Sequence, residues 1–254
     1  MTDPAPTNRA WWRGNTSYQW LVFAIAGGAW LFDNLDQRLF SLARISAISD
    51  LLGRPPEDLD VQGFGKVVTA LFLIGWGAGG LTIGAMGDRF GRVRMLAMSI
   101  FVYAMGTGAT AFSQSADQFL ILRVIAGFGI GGVFGLAVAI IAETFTGNTR
   151  LAMLGALQVL SVVGNIGAAL IKMGFDSLAG NNIIAQHNVW RWLFAVGMLP
   201  MVLAIGASLF LRESDSWLKL QREGHLPKGA LGSYRILLGN RDERRNLAIG
   251  SMLA

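Results

Sequence analysis

The chain has 254 residues, of which 53% are hydrophobic and only 15% are charged. With a mean hydropathy of +0.47, it is too apolar for an ordinary soluble domain, and the composition indicates an integral membrane protein. The formal net charge is +5, but the Lys and Arg residues fall between long apolar runs, which argues against a basic surface for nucleic acid. The lack of cysteine excludes disulfides and Cys-based metal or redox sites.

Six apolar runs are each about long enough to cross a bilayer. In chain order they cover Trp20 to Leu42, Phe64 to Met86, Met95 to Phe112, Gln118 to Ala142, Leu151 to Met173 and Trp190 to Leu211. We therefore predict an all-α membrane protein whose six transmembrane helices form one bundle over residues 20–211.

The segments outside the bundle carry most of the 21 Lys and Arg residues. This asymmetry predicts a cytoplasmic tail at residues 1–19, a cytoplasmic loop with one or two short helices at 212–245, and an external loop from Arg44 to Gly63. Residues 246–254 resume an apolar run and predict the start of a truncated seventh span. The expected location is a cell membrane, namely the inner membrane of a bacterium, and the N-terminus is expected in the cytoplasm.

A charged turn, GAMGDRFGRVRM from Gly84 to Met95, separates the second and third spans. Glycines allow helix ends to approach closely, and an Asp with several Arg at a helix junction can form ion pairs that break and reform. The alternative is that these charges serve only as a topology signal.

Two carboxylates, Asp33 and Asp36, lie three residues apart in the first span and so on one helix face. At about 1.5 Å per residue they are about 20 and 24 Å from the inner face of a core about 30 Å thick. Carboxylates inside a membrane are costly and persist mainly along a water-filled cavity or a proton path. The alternative is a helix end at which Asp33 and Arg38 extend toward the outer surface.

The fourth span carries Arg123, about 9 Å below the outer face and level with these carboxylates to within about one turn. An Asp–Arg pair between the first and fourth spans would make a proton switch, because protonating the Asp frees the Arg. A purely structural pair is the alternative.

Gln158 and Asn165 in the fifth span are seven residues apart and share nearly one face, and Asn165, about 21 Å from the inner surface, lies in the same depth layer as the carboxylates. Their amides suit polyhydroxyl or carboxylate ligands. Hydrogen bonding between helices is an equally good explanation.

The hexapeptide GFGIGG, Gly127 to Gly132, fits a dinucleotide-binding pattern but lies inside a span with no preceding strand. Gly127, Gly131 and Gly135, like Gly75 and Gly79, have instead the spacing of closely packed membrane helices. His187 and His225 are isolated in loops. We expect no enzyme site, no metal and no cofactor.

The turn matches G-x-x-x-D-R-x-G-R and resembles the loop between the second and third spans of the major facilitator superfamily. RVIAGFGIGG, AETFTGNTR, WRWLF and ESDSWL resemble four further stretches of its sugar porter and metabolite:proton symporter branches. FDNLD, with Asp33 and Asp36, is closer to the D-G-x-D of the aromatic acid:proton symporters. Thr146 stands where the family has a proline, and Asn165 where many sugar porters have a glutamine.

The resemblance implies the N-terminal half of a secondary transporter, with proton-coupled symport of a sugar or organic acid by alternating access between two halves. Asp36, or Asp33, would couple the proton with Arg123, and Asn165 and Gln158 would bind substrate. A cytoplasmic charge latch would comprise Gly84, Asp88, Arg89, Gly91, Arg92, Glu143, Arg150 and Glu213. The expected partners are membrane lipid, substrate, the proton and a C-terminal half. The alternatives are a transport-inactive sensor or scaffold, and a uniporter or exporter of another solute.

Overall fold

The computed structural model describes residues 14–224, without the side chains of residues 215 and 216. This range forms an all-helical bundle with one short 3-10 turn, Gln186–Asn188, before the sixth helix. The helices are α1 Ser17–Leu52, α2 Leu59–Phe90, α3 Arg92–Thr110, α4 Ala116–Thr144, α5 Gly147–Gly180, α6 Val189–Val196, α7 Met201–Phe210 and α8 Asp215–Arg222. The predicted seventh span and the second part of the 212–245 loop lie outside the described residues.

Polar side chains stabilise the starts of several helices by accepting hydrogen bonds from backbone N–H groups that would otherwise be unpaired. Thr16 and Gln19 form a capping box at α1, Asp58 caps α2, Ser115 caps α4 and Ser214 caps α8. The caps of α1, α2 and α4 precede their apolar runs, so these three helices begin before the spans predicted from hydropathy.

The connection between α1 and α2 is shorter than the sequence predicted. Residues 44–52 continue α1, so only residues 53–58 connect it to α2. Near the end of α1, the carboxylate of Asp50 accepts a hydrogen bond of 3.1 Å from the indole of Trp190 and lies 3.8 Å from Arg191. These contacts tie the end of α1 to α6 and favour helix over loop there.

The sixth predicted span is two helices. Residues 197–200 form turns between α6 and α7, with bonds between residues three apart, such as Gly197 to Phe194 and Met201 to Met198. Pro200 has no backbone N–H to donate into a continuous helix, which explains the break.

Helices α2 and α4 approach each other through glycines. A Cβ on Gly79 would overlap the backbone carbonyl of Phe128, and a Cβ on Gly131 would overlap that of Trp76. Gly135 continues the same spacing but has open space around it. The hexapeptide GFGIGG therefore serves helix packing within α4.

Five helical segments of the described chain are long and apolar enough to cross a membrane: α2, α3, α4, α5 and the α6–α7 segment Gln186–Phe210. The first predicted span, in α1, is not among them, because Asp33, Asp36 and their polar neighbours lower its hydropathy. Helix α1 nonetheless packs against α4 and α5.

Candidate functional site

Three charged side chains are buried in the described bundle, Asp33 and Asp36 on α1 and Arg123 on α4. The side chains of Asp36 and Arg123 are at most 1% exposed, and Arg123 Nη1 lies 3.6 Å from Asp36 Oδ2. Neither carboxylate oxygen of Asp36 has a hydrogen-bond partner among the described residues. The structure thus brings these two predicted residues together as an ion pair that lacks a direct hydrogen bond.

Arg123 is held independently of Asp36. Its Nε and Nη2 donate hydrogen bonds of 3.2 and 3.1 Å to the hydroxyl of Thr110 on α3. Its guanidinium also lies 4.7 Å from the ring centre of Phe194 and 5.7 Å from that of Phe40, within reach of a cation–π attraction. The arginine can therefore keep its position if the charge of Asp36 changes.

Asp33 lies one turn before Asp36 on the same buried face of α1 and is fully buried. Its Oδ1 accepts a hydrogen bond of 2.9 Å from Gln37 on the next turn. Its Oδ2, and the hydroxyl of fully buried Tyr103 on α3, have no hydrogen-bond partner in the described chain. Buried polar groups of this kind usually bind internal water. The carboxylate oxygen and the hydroxyl could therefore bind water, and the carboxylate could also bind a proton.

Gln158 and Asn165 lie on the exposed side of α5. The amide of Asn165 donates to the Ser161 carbonyl at 2.9 Å. Next to Asn165, a Cβ on Gly164 would overlap the backbone of Leu31, which places Asn165 level with the turn of α1 that carries Asp33. Both amides therefore lie on the exposed face of α5, with Asn165 at about the depth of the buried carboxylates and Gln158 two turns earlier along the helix.

A second charged group joins three helices at the end of the bundle that we call the latch end, where the α2–α3 and α4–α5 turns lie. Arg92, at the start of α3, forms an ion pair with Glu143 near the end of α4. It also lies 3.3 Å from the Asp88 carboxylate on α2.

Glu213, which lies about 120 residues later in the sequence, binds the N-terminus of α3. Its two oxygens accept hydrogen bonds of 3.1 and 3.0 Å from the backbone N–H groups of Val93 and Arg94, where a helix dipole favours a negative charge. Gly91 makes this approach possible, because it adopts φ +104° and a Cβ there would overlap the Glu213 carboxylate.

Three other predicted latch residues have different surroundings. Arg150 donates to the Phe145 carbonyl at 3.0 Å rather than to a carboxylate. Arg89 lies over the ring of Phe90 at 5.1 Å. A Cβ on Gly84 would meet no atom within 4 Å.

Sequence reasoning missed two residues of these groups. Thr110 anchors Arg123, and the Trp217 indole donates to the Asp88 carbonyl at 2.9 Å. Thr110 bonds its own helix carbonyl like many membrane threonines, and no local pattern distinguishes it. Trp217 lies in the ESDSWL stretch, and its spacing from Glu213 is the sequence signal that could have identified it.

The chain matches the family model described as "Sugar (and other) transporter" over residues 57–247. A Haemophilus influenzae protein named for metabolite transport is 33% identical over 81% of this chain and 46% of its own length. The cis,cis-muconate transport protein of Acinetobacter baylyi is 32% identical over 79% of this chain and 45% of its own length.

Solved structures share the fold. A double-tryptophan mutant of the transporter XylE covers 87% of this chain and 51% of its own, with a TM-score of 0.68 and 22% identity. The partially occluded inward-open XylE of E. coli covers 83% and 52%, with a TM-score of 0.66 and 21% identity. The chain spans about half the length of the relatives it matches. It is a multi-pass membrane protein that belongs to the sugar (and other) transporter family, a family of transporters rather than enzymes, and corresponds to the N-terminal half of the major facilitator superfamily fold.

Proposed function

We propose that the chain forms the six-helix N-terminal half of a proton-coupled symporter, which moves a small polar metabolite such as a sugar or an organic acid by alternating access. The observation that carries this proposal is the Asp36–Arg123 pair, fully buried between α1 and α4. Ionisable groups inside membrane segments are costly, and those that persist serve mainly in substrate, ion or proton pathways.

In this proposal the proton acts on the pair. Protonation of Asp36 removes its attraction for Arg123, whose side chain stays bound to Thr110. The change alters the electrostatic field in the centre of the bundle without displacing the arginine. Asp33, with one unpaired oxygen in the same buried layer, is the second candidate for the proton-binding group.

The substrate would bind at the exposed face of α5, where Gln158 and Asn165 offer amide donors and acceptors. A second six-helix half would complete this site, as the alternating-access scheme requires. An organic acid is the first class to test, because relatives over most of this chain are named for cis,cis-muconate and for 4-methylmuconolactone. A sugar is the second, because another relative is named arabinose-proton symporter.

The latch would hold one of the two access states. Arg92, Glu143 and Asp88 join α2, α3 and α4, and Glu213 ties the segment before α8 to α3. Breaking such contacts lets helix ends separate as the bundle moves. We place this end and the N-terminus in the cytoplasm, and the protein in a bacterial inner membrane.

The test is uptake into liposomes by a protein that contains this chain together with its second half. Dicarboxylates, aromatic carboxylates and pentoses are offered separately under an inward proton gradient. A symporter accumulates its substrate and loses the accumulation when a protonophore collapses the gradient. Equilibration without accumulation would show a uniporter, and no uptake of any compound would favour the sensor or scaffold.

A further inference from the structure

A groove of about 870 Å³ lies on the outside of the bundle between α3, α7 and α8. It is separate from the Asp36–Arg123 pair and from the amides of α5. Its volume falls in the range of about 300–1,000 Å³ typical of small-molecule sites. Apart from Glu213, which belongs to the latch, its lining residues have no role in the proposed function.

The groove has one charged end and one apolar end. Arg94 is near the start of α3 and Arg212 is two residues past the end of α7, so both arginines lie at the latch end of the groove. From Arg94 the lining continues along the outside of α3 to Phe101, about 10 Å further along the helix axis. Ile205 and Leu209 extend the apolar wall along α7.

Within the described part of the chain, both arginines lack a side-chain partner. Their side chains have neither a hydrogen bond nor an ion pair with any other described residue, and both are exposed. Glu213 also lines the groove, but its carboxylate is bound to two backbone N–H groups at the start of α3. The charged end therefore attracts an anion.

We infer that this groove binds one anionic phospholipid. The lipid phosphate sits between Arg94 and Arg212, and an acyl chain lies along Phe101, Ile205 and Leu209. Charge complementarity selects the headgroup, and the apolar wall runs in the direction that an acyl chain takes from the membrane surface. Since Trp217 of α8 lines the same groove and bonds to Asp88, the lipid bridges α3, α7 and α8 beside the latch.

Native mass spectrometry of the purified 254-residue chain tests the inference. The chain is released from micelles that contain equal amounts of phosphatidylglycerol and phosphatidylcholine with identical acyl chains. We expect preferential retention of phosphatidylglycerol. An arginine near an anionic lipid surface contributes about a fivefold preference, so Arg94→Gln/Arg212→Gln should lower the retained ratio at least about fivefold.

Three matched variants distinguish lipid binding in the groove from a general effect of charge and from misfolding. Arg94→Lys/Arg212→Lys keeps the charges and should keep most of the preference. Arg222→Gln removes an exposed charge from α8 outside the groove and should leave the ratio unchanged. Ser208→Phe fills the groove and should lower retention of both lipids, with helix content by circular dichroism as the check on folding.

Three results would overturn the inference. One is equal retention of the two lipids by the wild-type chain. Another is an unchanged ratio in the double glutamine variant. The third is displacement of phosphatidylglycerol by equimolar glycerol 3-phosphate, which would show a site for a soluble anion.

Discussion

The guanidinium of Arg123 lies 3.6 Å from the carboxylate of Asp36, and neither side chain reaches solvent. Arg123 is bound through Thr110 and two aromatic rings, whereas Asp36 lacks any hydrogen bond in the described chain. The aspartate is therefore the partner whose protonation state can change at the least cost to packing.

In the complete transporter, Asp36→Asn should abolish proton-driven accumulation and leave exchange of substrate partly intact. The amide imitates the protonated aspartate but cannot cycle its proton. The measurements are gradient-driven uptake and counterflow exchange in the same liposomes. Full accumulation by this variant would transfer the proposed role to Asp33, and Asp33→Asn is its matched comparison.

Arg123→Ala should cause more damage than Asp36→Asn. It leaves the Asp36 carboxylate buried without a counter-charge, and breaking a buried pair by removing one partner typically costs about 3–5 kcal/mol. We expect a lower unfolding temperature in detergent and loss of both accumulation and exchange. The double variant Asp36→Asn/Arg123→Ala should recover part of the lost stability, and no recovery would show that the arginine acts mainly through its other contacts.

Gly91→Ala should destabilise the latch end. The residue needs φ +104°, and its Cβ would displace the Glu213 carboxylate from the start of α3. Backbone strain of this kind costs about 1–3 kcal/mol, visible as a lower unfolding temperature. Gly84→Ala is the control, because Gly84 lies inside α2 with open space around it, and it should unfold no earlier than wild type.

Gly79→Val should disrupt the contact between α2 and α4, since even a Cβ at this position overlaps the backbone of Phe128. Overpacking of this kind costs about 1–3 kcal/mol or more. Gly77→Val on the same helix meets open space and carries the same intrinsic helix penalty. Thermal unfolding of the two variants should differ clearly, and equal unfolding temperatures would contradict the close packing.

The proposed topology places residues 53–58 outside and the α4–α5 turn inside, because most Lys and Arg residues fall on the side of the latch end. In this cysteine-free chain, a cysteine at Glu57 should react with an impermeant maleimide in intact cells. Cysteines at Thr146 or Ser233 should react only after permeabilisation. Labelling of Ser233→Cys in intact cells would show that the true orientation is the reverse of the proposed one.

Hydropathy alone located the five helical segments of the described chain that are long and apolar enough to cross a membrane, together with the charged turn at Gly84 to Met95. A helix that crosses a bilayer needs a long apolar run, and such a run is recognisable from consecutive residues alone. Depth arithmetic also placed Asp36 and Arg123 in one layer, because the rise of a helix is constant. The family resemblance of the turn likewise needed only neighbouring residues.

Only the tertiary structure decided which side chains meet. Thr110 holds Arg123, Glu213 reaches the start of α3 across more than 100 residues, and Gly135 faces open space although Gly131 does not. Each of these outcomes depends on the rotation and register of two packed helices. Packing of the whole bundle sets both quantities, whereas a sequence pattern specifies only which residues share a face of their own helix.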